Sequence, residues 1–186
     1  MANGVFVHER GLCESENVGS GTRVWAFAHV MAGATIGDDC NICDHAFIET
    51  GAVLGNRVTV KNAVLVWDKV TIGDDVFLGP NMIFTNDMRP RIKFKKDAHQ
   101  FLPTVVEDGV SIGANATIVC GVTLGHDCFV GAGAVVASDV PAHALMVGNP
   151  ARQIGWVCEC GERLDDLLRC ACGTGYQQTE AGLSIL

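Results

Sequence analysis

The sequence predicts an all-β fold: a parallel β-helix wound as a triangular prism, with one external loop insertion and a small cysteine-rich tail. Three observations predict it. First, an apolar residue falls on every sixth position, at Phe6, Leu12, Val18, Val24, Val30, Ile36, Ile42, Ile48, Leu54, Val60, Val66, Ile72, Leu78 and Phe84, and again from Val106 through Ile112, Ile118, Leu124 and Val130 to Val136. Second, the residue four places after each apolar one is also restricted, as in Thr22, Ala28, Ala34, Cys40, Val58, Val64, Val110, Ala116 and Cys128. Third, the series breaks once, at a polar run that opens Thr85-Asn86-Asp87-Met88-Arg89-Pro90-Arg91.

A period of six fits neither a helix nor a simple strand and has to be read as a repeat. A large aliphatic and a small residue, separated by a tight corner, describe one short flat strand per hexad. Three strands make an 18-residue coil, and coils stacked at about 4.8 Å bring position i over i+18. Twenty hexads then give between six and seven coils, a prism roughly 30 Å tall. Stacked Ile, Val and Leu fill its inside, so function must sit on the faces, the corners or the insertion. The irregular first hexad, Phe6 to Gly11, suits a cap over the open end.

The insertion, residues 85–105, gathers Arg89, Arg91, Lys93, Lys95 and Lys96, which is five of the thirteen Lys and Arg. The chain as a whole carries a formal charge of -8, which argues against a broad nucleic-acid surface. Cations concentrated on the one insertion of an acidic protein point to an anionic ligand there; a solvated surface loop is the plainer alternative. No apolar run reaches the length of a membrane span and no signal-peptide pattern opens the chain, so it reads as cytoplasmic. Nine cysteines are then thiols or metal ligands rather than disulfides. Cys40 and Cys128 occupy the small slots of the hexads and read as packing residues.

From Gln153 the hexads stop, and residues 153–186 form the cysteine-rich extension. Cys158-Glu159-Cys160-Gly161 and Cys170-Ala171-Cys172-Gly173 resemble zinc-ribbon knuckles, whose turns aim paired thiolates at one metal. Each pair has one intervening residue where two is usual, which strains a shared tetrahedral site. A structural zinc on these four sulfurs would leave no open position for catalysis.

The hexad ladder coincides with the exit run Val140-Pro141-Ala142-His143-Ala144-Leu145-Met146-Val147-Gly148-Asn149-Pro150-Ala151-Arg152. Together they resemble the hexapeptide-repeat acyltransferases over residues 1–152. The resemblance implies a left-handed winding, a homotrimer with active sites in the clefts between prisms, and acetyl-CoA lying lengthwise along each cleft. It further implies that Gly113, Ala114, Gly131 and Ala132 border the pantetheine and that Arg152 meets a CoA phosphate. Glycine and alanine are equally what tight corners require.

O-acetyltransferases of this fold that act on sugars commonly carry a His on the insertion; here the corresponding position holds Met88. A hydroxyl needs a general base in the transition state, whereas an amine needs only to be uncharged when it attacks. The runs Phe84-Thr85-Asn86, Pro90-Arg91 and Ile118-Val119-Cys120-Gly121 are similar to the bacterial nucleotide-linked 3-amino-sugar N-acetyltransferases. The resemblance therefore implies acetyl transfer from acetyl-CoA to the amine of a UDP- or dTDP-linked amino(di)deoxy sugar. Asn86, able to donate and accept, would orient the amine; Asp87 would hold its ammonium form or relay a proton, unless it merely pairs with Arg89. Arg89 and Arg91 suit a diphosphate or a sugar carboxylate. His45 is the candidate base, with Asp44 or Glu49 to orient it, or else a surface imidazole; His126 is a second place for a base. His8, His29, His99 and His143 carry no motif. The rival readings are a sugar O-acetyltransferase of the same fold, and a non-catalytic β-helix scaffold whose zinc ribbon recruits a partner.

Overall fold

The computed structural model describes residues 4–186 and is a parallel β-solenoid with three flat faces. The first face stacks eight parallel strands, from Phe6–Val7 to Ala144–Val147, and closes with the antiparallel strand Arg152–Trp156. The second runs through seven strands, Leu12–Cys13 to Val135–Val136, and the third through five, Thr35–Ile36 to Thr123–Leu124. The exit run adds its own strand, so the first face is taller than the hexad count alone implies. Among the described residues the single helical element is the 3₁₀ turn Ala98–Gln100.

The hexad has a direct physical basis. Most strands are two residues long, one side chain in and one out, and the chain then turns a corner. At the corners one residue takes a left-handed backbone: Phe27, Asp39, His45, Arg57, Ala63, Lys69, Asp75, Asn81, Asn115 and Asp127 all have φ between 55° and 64°. That conformation costs a non-glycine residue roughly 1–2 kcal/mol. Stacking offsets it, because the strands within each face pair with the coil above and the coil below and their inward side chains are covered. Ile42, Ile48, Val60, Val66, Leu78, Ile112, Ile118 and Leu124 are fully buried, and each such burial stabilises by about 1.5–3 kcal/mol.

Partners lie 18 positions apart through the body of the prism, as in Arg23↔Asn41 and His29↔Phe47. Val70 pairs with Thr104, 34 positions on, so the insertion loops out between two coils that stack as if it were absent. Cys40 and Cys128 fill small inward slots as expected; burial raises both thiols, that of Cys128 to about 12.

The first coil departs from the expected ladder. Phe6 pairs with Arg23 and Val7 with Val24; Leu12 pairs with His29 and Cys13 with Val30. Phe6 and Leu12 therefore point outward, half exposed, and it is Val7 and Cys13 that pack on the core. The chain covers the stretch from Cys13 to Val18 in five residues instead of six, and Val18 rejoins the regular register opposite Ile36.

One edge carries a ladder that the apolar count did not single out. Asp38 Oδ1 accepts the Ser20 N–H at 2.7 Å, Asn56 Oδ1 the Asp38 N–H at 2.9 Å, Asp74 Oδ1 the Asn56 N–H at 2.8 Å and Asp108 Oδ1 the Asp74 N–H at 2.7 Å. Each short acceptor satisfies a corner N–H that has no strand partner.

Beyond the prism a second small core forms from Cys158, Leu164, Cys170, Tyr176 and Leu183, and Trp156 packs against both cores.

Candidate active site and metal centre

The three edges of the prism sort the candidate residues. The insertion leaves the second face after Ile83–Phe84 and returns on the third at Thr104–Val106. Its root is anchored: Trp67 Nε1 donates to the Phe84 carbonyl at 2.7 Å, and Thr85 Oγ1 accepts the Cys120 N–H at 2.9 Å. Asn86 follows immediately and is half-buried. Among the described residues nothing hydrogen-bonds its side-chain amide, so its donor and acceptor are both available.

Asp87 is engaged more fully than a pairing with the Arg89 side chain would have it. Its Oδ1 accepts the Arg89 backbone N–H at 2.8 Å and the Lys96 ammonium. The Lys96 contact, with the Arg89 N–H, lowers the Asp87 carboxyl below the usual range. A carboxylate held ionised in this way serves as a counter-ion and is a poor proton acceptor. Arg89, Arg91, Lys93 and Lys95 are exposed, and Ile92 and Phe94 beside them are 90% and 76% exposed.

His45 lies on a different edge, between the strands Asn41–Ile42 and Phe47–Ile48, and two coils below Asn86 in the stack. Within one chain the two are not brought together. His45 is exposed and stacks on Phe27, with centroids 4.9 Å apart and planes at 14°, and the Arg10 guanidinium lies 5.9 Å from the Phe27 ring. The expected orienting carboxylates do not reach it. Glu49 faces the other corner and accepts the Asp68 N–H at 2.8 Å, and Asp44 makes no bond to the imidazole among the described residues.

Gly113, Ala114, Gly131 and Ala132 stand on the same edge as His45, higher in the stack. The coil spacing alone explains the glycines: a Cβ on Gly113 would come 2.5 Å from the Ala132 nitrogen, and one on Gly131 would come 2.9 Å from Val147 Cγ1. Arg152 is exposed at the start of the antiparallel closing strand, with Nη1 donating to the Ala151 carbonyl at 2.9 Å. The residues expected to border the cofactor and His45 thus share one edge, and Asn86, Asp87, Arg89 and Arg91 another.

The four tail cysteines do converge. Cys158 Sγ lies 3.7 Å from Cys172 Sγ and Cys160 Sγ 3.5 Å from Cys170 Sγ, and all four sulfurs lie within 4.8 Å of one another. The edge of a tetrahedron with metal–sulfur bonds of about 2.3 Å is about 3.8 Å, so the set has the right size for zinc and is far too open for disulfides. The close contacts run across the two knuckles rather than within each. Tyr176 donates its hydroxyl to Cys158 Sγ at 3.1 Å. The Thr174 hydroxyl and backbone, and then the neighbouring sulfurs, lower the Cys172 thiol to about 6.

The comparisons with known proteins agree with this architecture. A family profile described as "Bacterial transferase hexapeptide (six repeats)" matches residues 17–50 and 103–138, on either side of the insertion. The dTDP-3-amino-3,6-dideoxy-alpha-D-galactopyranose 3-N-acetyltransferase of Aneurinibacillus thermoaerophilus is 48% identical over 184 residues, 97% of this chain and 95% of that one. The chain belongs to the hexapeptide-repeat transferases. Among solved structures of these transferases, a hexapeptide-repeat acetyltransferase of Vibrio cholerae complexed with acetyl coenzyme A aligns with TM-score 0.53 and 28% identity over 64% of this chain and 68% of that one. A maltose O-acetyltransferase of Clostridium difficile aligns with TM-score 0.50 and 30% identity over 58% and 60% of the two chains. In the hexapeptide-repeat transferases the shared backbone thus serves acceptors of different chemistry.

Proposed function

We propose that the protein transfers the acetyl group of acetyl-CoA to the 3-amine of a dTDP-linked 3-amino-dideoxy sugar, working as a homotrimer in the cytoplasm. The observation that carries this reading is Asn86: an open amide on an anchored root, on an insertion that holds Met88 where a hydroxyl-activating His would stand. The relative of that activity, similar over almost the whole chain, supports the same substrate class.

The uncharged amine nitrogen attacks the thioester carbonyl and forms the new C–N bond. The tetrahedral intermediate then collapses with loss of the C–S bond, and the departing CoA sulfur takes up the proton that the nitrogen releases. Asn86 orients the amine. Asp87, kept ionised by Lys96, favours binding of the ammonium form before it loses its proton to solvent. Arg89 and Arg91 face the diphosphate.

The trimer supplies what one chain lacks. The outward residues Phe47, Leu65 and Ile83 of the second face form an apolar stripe, with Leu65 and Ile83 exposed by 38% and 52%; His29 stands between it and Leu12. Packing this face against a neighbour covers the stripe. It also sets the insertion of one chain beside the edge of the next that holds His45, Gly113, Ala114, Gly131 and Ala132, with Arg152 above. Residues 1–152 are then the catalytic unit, and residues 153–186 a cap held by a structural zinc on Cys158, Cys160, Cys170 and Cys172.

Thiol release from acetyl-CoA, followed with dTDP- and UDP-linked 3-amino and 3-hydroxy sugars, tests the reading. Release with the dTDP-linked amine supports it; release only with the hydroxyl acceptors overturns it in favour of O-acetylation.

A further inference from the structure

The third edge of the prism, across the third face from the edge where the insertion leaves, holds a cluster that the proposed acetyl transfer does not use. His126, Asp127 and His143 present ligand atoms that all lie within 4.8 Å of one another. His126 Nδ1 is 3.0 Å from Asp127 Oδ2, and His143 Nε2 is 3.8 Å from the same oxygen. Asp127 and His143 occupy equivalent left-handed corner positions in successive coils, so the stacking of the solenoid brings them together.

We propose that His126, Asp127 and His143 form a second metal site, taking a divalent transition ion such as zinc through two imidazoles and one carboxylate. Three features of the structure carry this. The first is the state of His143. Its Nδ1 lies 3.1 Å from the Val157 carbonyl, an atom that only accepts, so Nδ1 bears the hydrogen and Nε2 presents its lone pair toward Asp127. At 3.8 Å that lone pair and the carboxylate are two acceptors facing one another beyond hydrogen-bond reach, an arrangement a cation between them satisfies. A histidine that donates its other ring N–H to a backbone carbonyl is oriented as metal-binding histidines usually are.

The second is spacing. Ligands about 2.0–2.2 Å from a tetrahedral ion stand roughly 3.3–3.6 Å apart; the His143 separation lies just above that range, and the His126 ring, hydrogen-bonded to Asp127 Oδ2 at 3.0 Å, would exchange that bond for the ion. The third is charge. His126 lines a cavity of about 330 Å³ whose walls include Glu107, Asp139 and Glu180 and no Lys or Arg. Elsewhere on this edge Asp74 and Asp75 are neutralised by Arg57, at 3.2 and 2.6 Å. Among the described residues Asp127 has only imidazoles as ion-pair partners.

The site also sits where the tail joins the prism. His143 bonds Val157 through both backbone and ring, Ala142 pairs with Ala181 and Leu183, and Tyr176 packs edge-on against the His143 ring at 4.8 Å. An ion here would tie the corner at His126 and Asp127 to the exit turn that carries the tail.

The test counts metal in the full chain after dialysis against Zn²⁺, and against Co²⁺ for its spectrum. Two ions per chain are expected in the wild type. The variant His126→Ala, altered at a half-exposed side chain, should lose one of them while keeping the thiolate charge-transfer band of the cysteine site. A double variant Cys160→Ser, Cys172→Ser should keep one cobalt without that band, and adding His126→Ala should remove it. Equal metal content in the wild type and His126→Ala, or a single ion in the wild type accounted for by the thiolate band, overturns the proposal.

Discussion

Val7 pairs with Val24, seventeen positions along the chain, whereas every regular coil takes eighteen. This places Val7, and not Phe6, over the core. Phe6→Asn should therefore cost little, about 1 kcal/mol from the lost contact with Trp25. Val7→Asn sets an unpaired amide against the apolar end of the prism and should cost more, about 2 kcal/mol. Thermal midpoints at one fixed chain concentration check the order of the two; the reverse order would restore the uninterrupted hexad.

Asn86→Ala should lower kcat/KM by about 10²-fold, the scale of a lost orienting contact, with the oligomer mass unchanged. An unaltered rate would remove Asn86 from the reaction.

The depressed carboxyl of Asp87 makes a statement about pH. Because its folded value lies below the unfolded one of about 3.9, the order it lends to the insertion is fully present above that value. It is lost only as pH falls through the lowered folded value. Between pH 5 and 8 the rate should therefore follow deprotonation of the substrate amine, rising with pH, and Asp87→Asn should keep the shape of that profile while raising KM. A new acid limb above pH 5 that disappears in Asp87→Asn would show a carboxyl titrating in the wrong range.

Ile83→Glu places a charge in the middle of the exposed stripe on the second face. Sedimentation should then show monomers where a trimer is expected of the wild type, with turnover lost in parallel if the site forms between chains. Full activity in a monomer would mean that one chain holds the whole site.

The cysteine site should respond to acid through thiolate chemistry. Metal binding needs all four sulfurs deprotonated, and the Cys172 thiol, at about 6, is the one most ready to ionise. Zinc should stay bound at pH 7 and leave on acidification as protons compete for the sulfurs, with four thiols becoming reactive toward a disulfide reagent. Reactivity that is the same before and after acid treatment would argue against a bound ion.

How much of this was legible beforehand follows from the range of the forces involved. The hexad is a local rule: each corner closes within a few residues, so the inward residues from Val18 to Phe84 and from Val106 to Val136 can be counted along the chain. The insertion could be located by the same count, and so could the cysteine pairs by their spacing. The first coil could not, because Phe6 and Val7 are both apolar and Leu12 and Cys13 are both acceptable inside. Only stacking on Val24 and Val30 chooses between them.

By itself, then, the sequence determined the repeat, the place where it breaks, and the residue types gathered there. Tertiary structure decided which of those residues meet. It set Asn86 and His45 on different edges, joined Cys158 to Cys172 across two knuckles, and placed His143, which has no motif, over Asp127. Neighbours within a coil are specified by the short run of chain between them. Neighbours across coils and edges are specified by the register of the stack, and the register depends on every coil beneath.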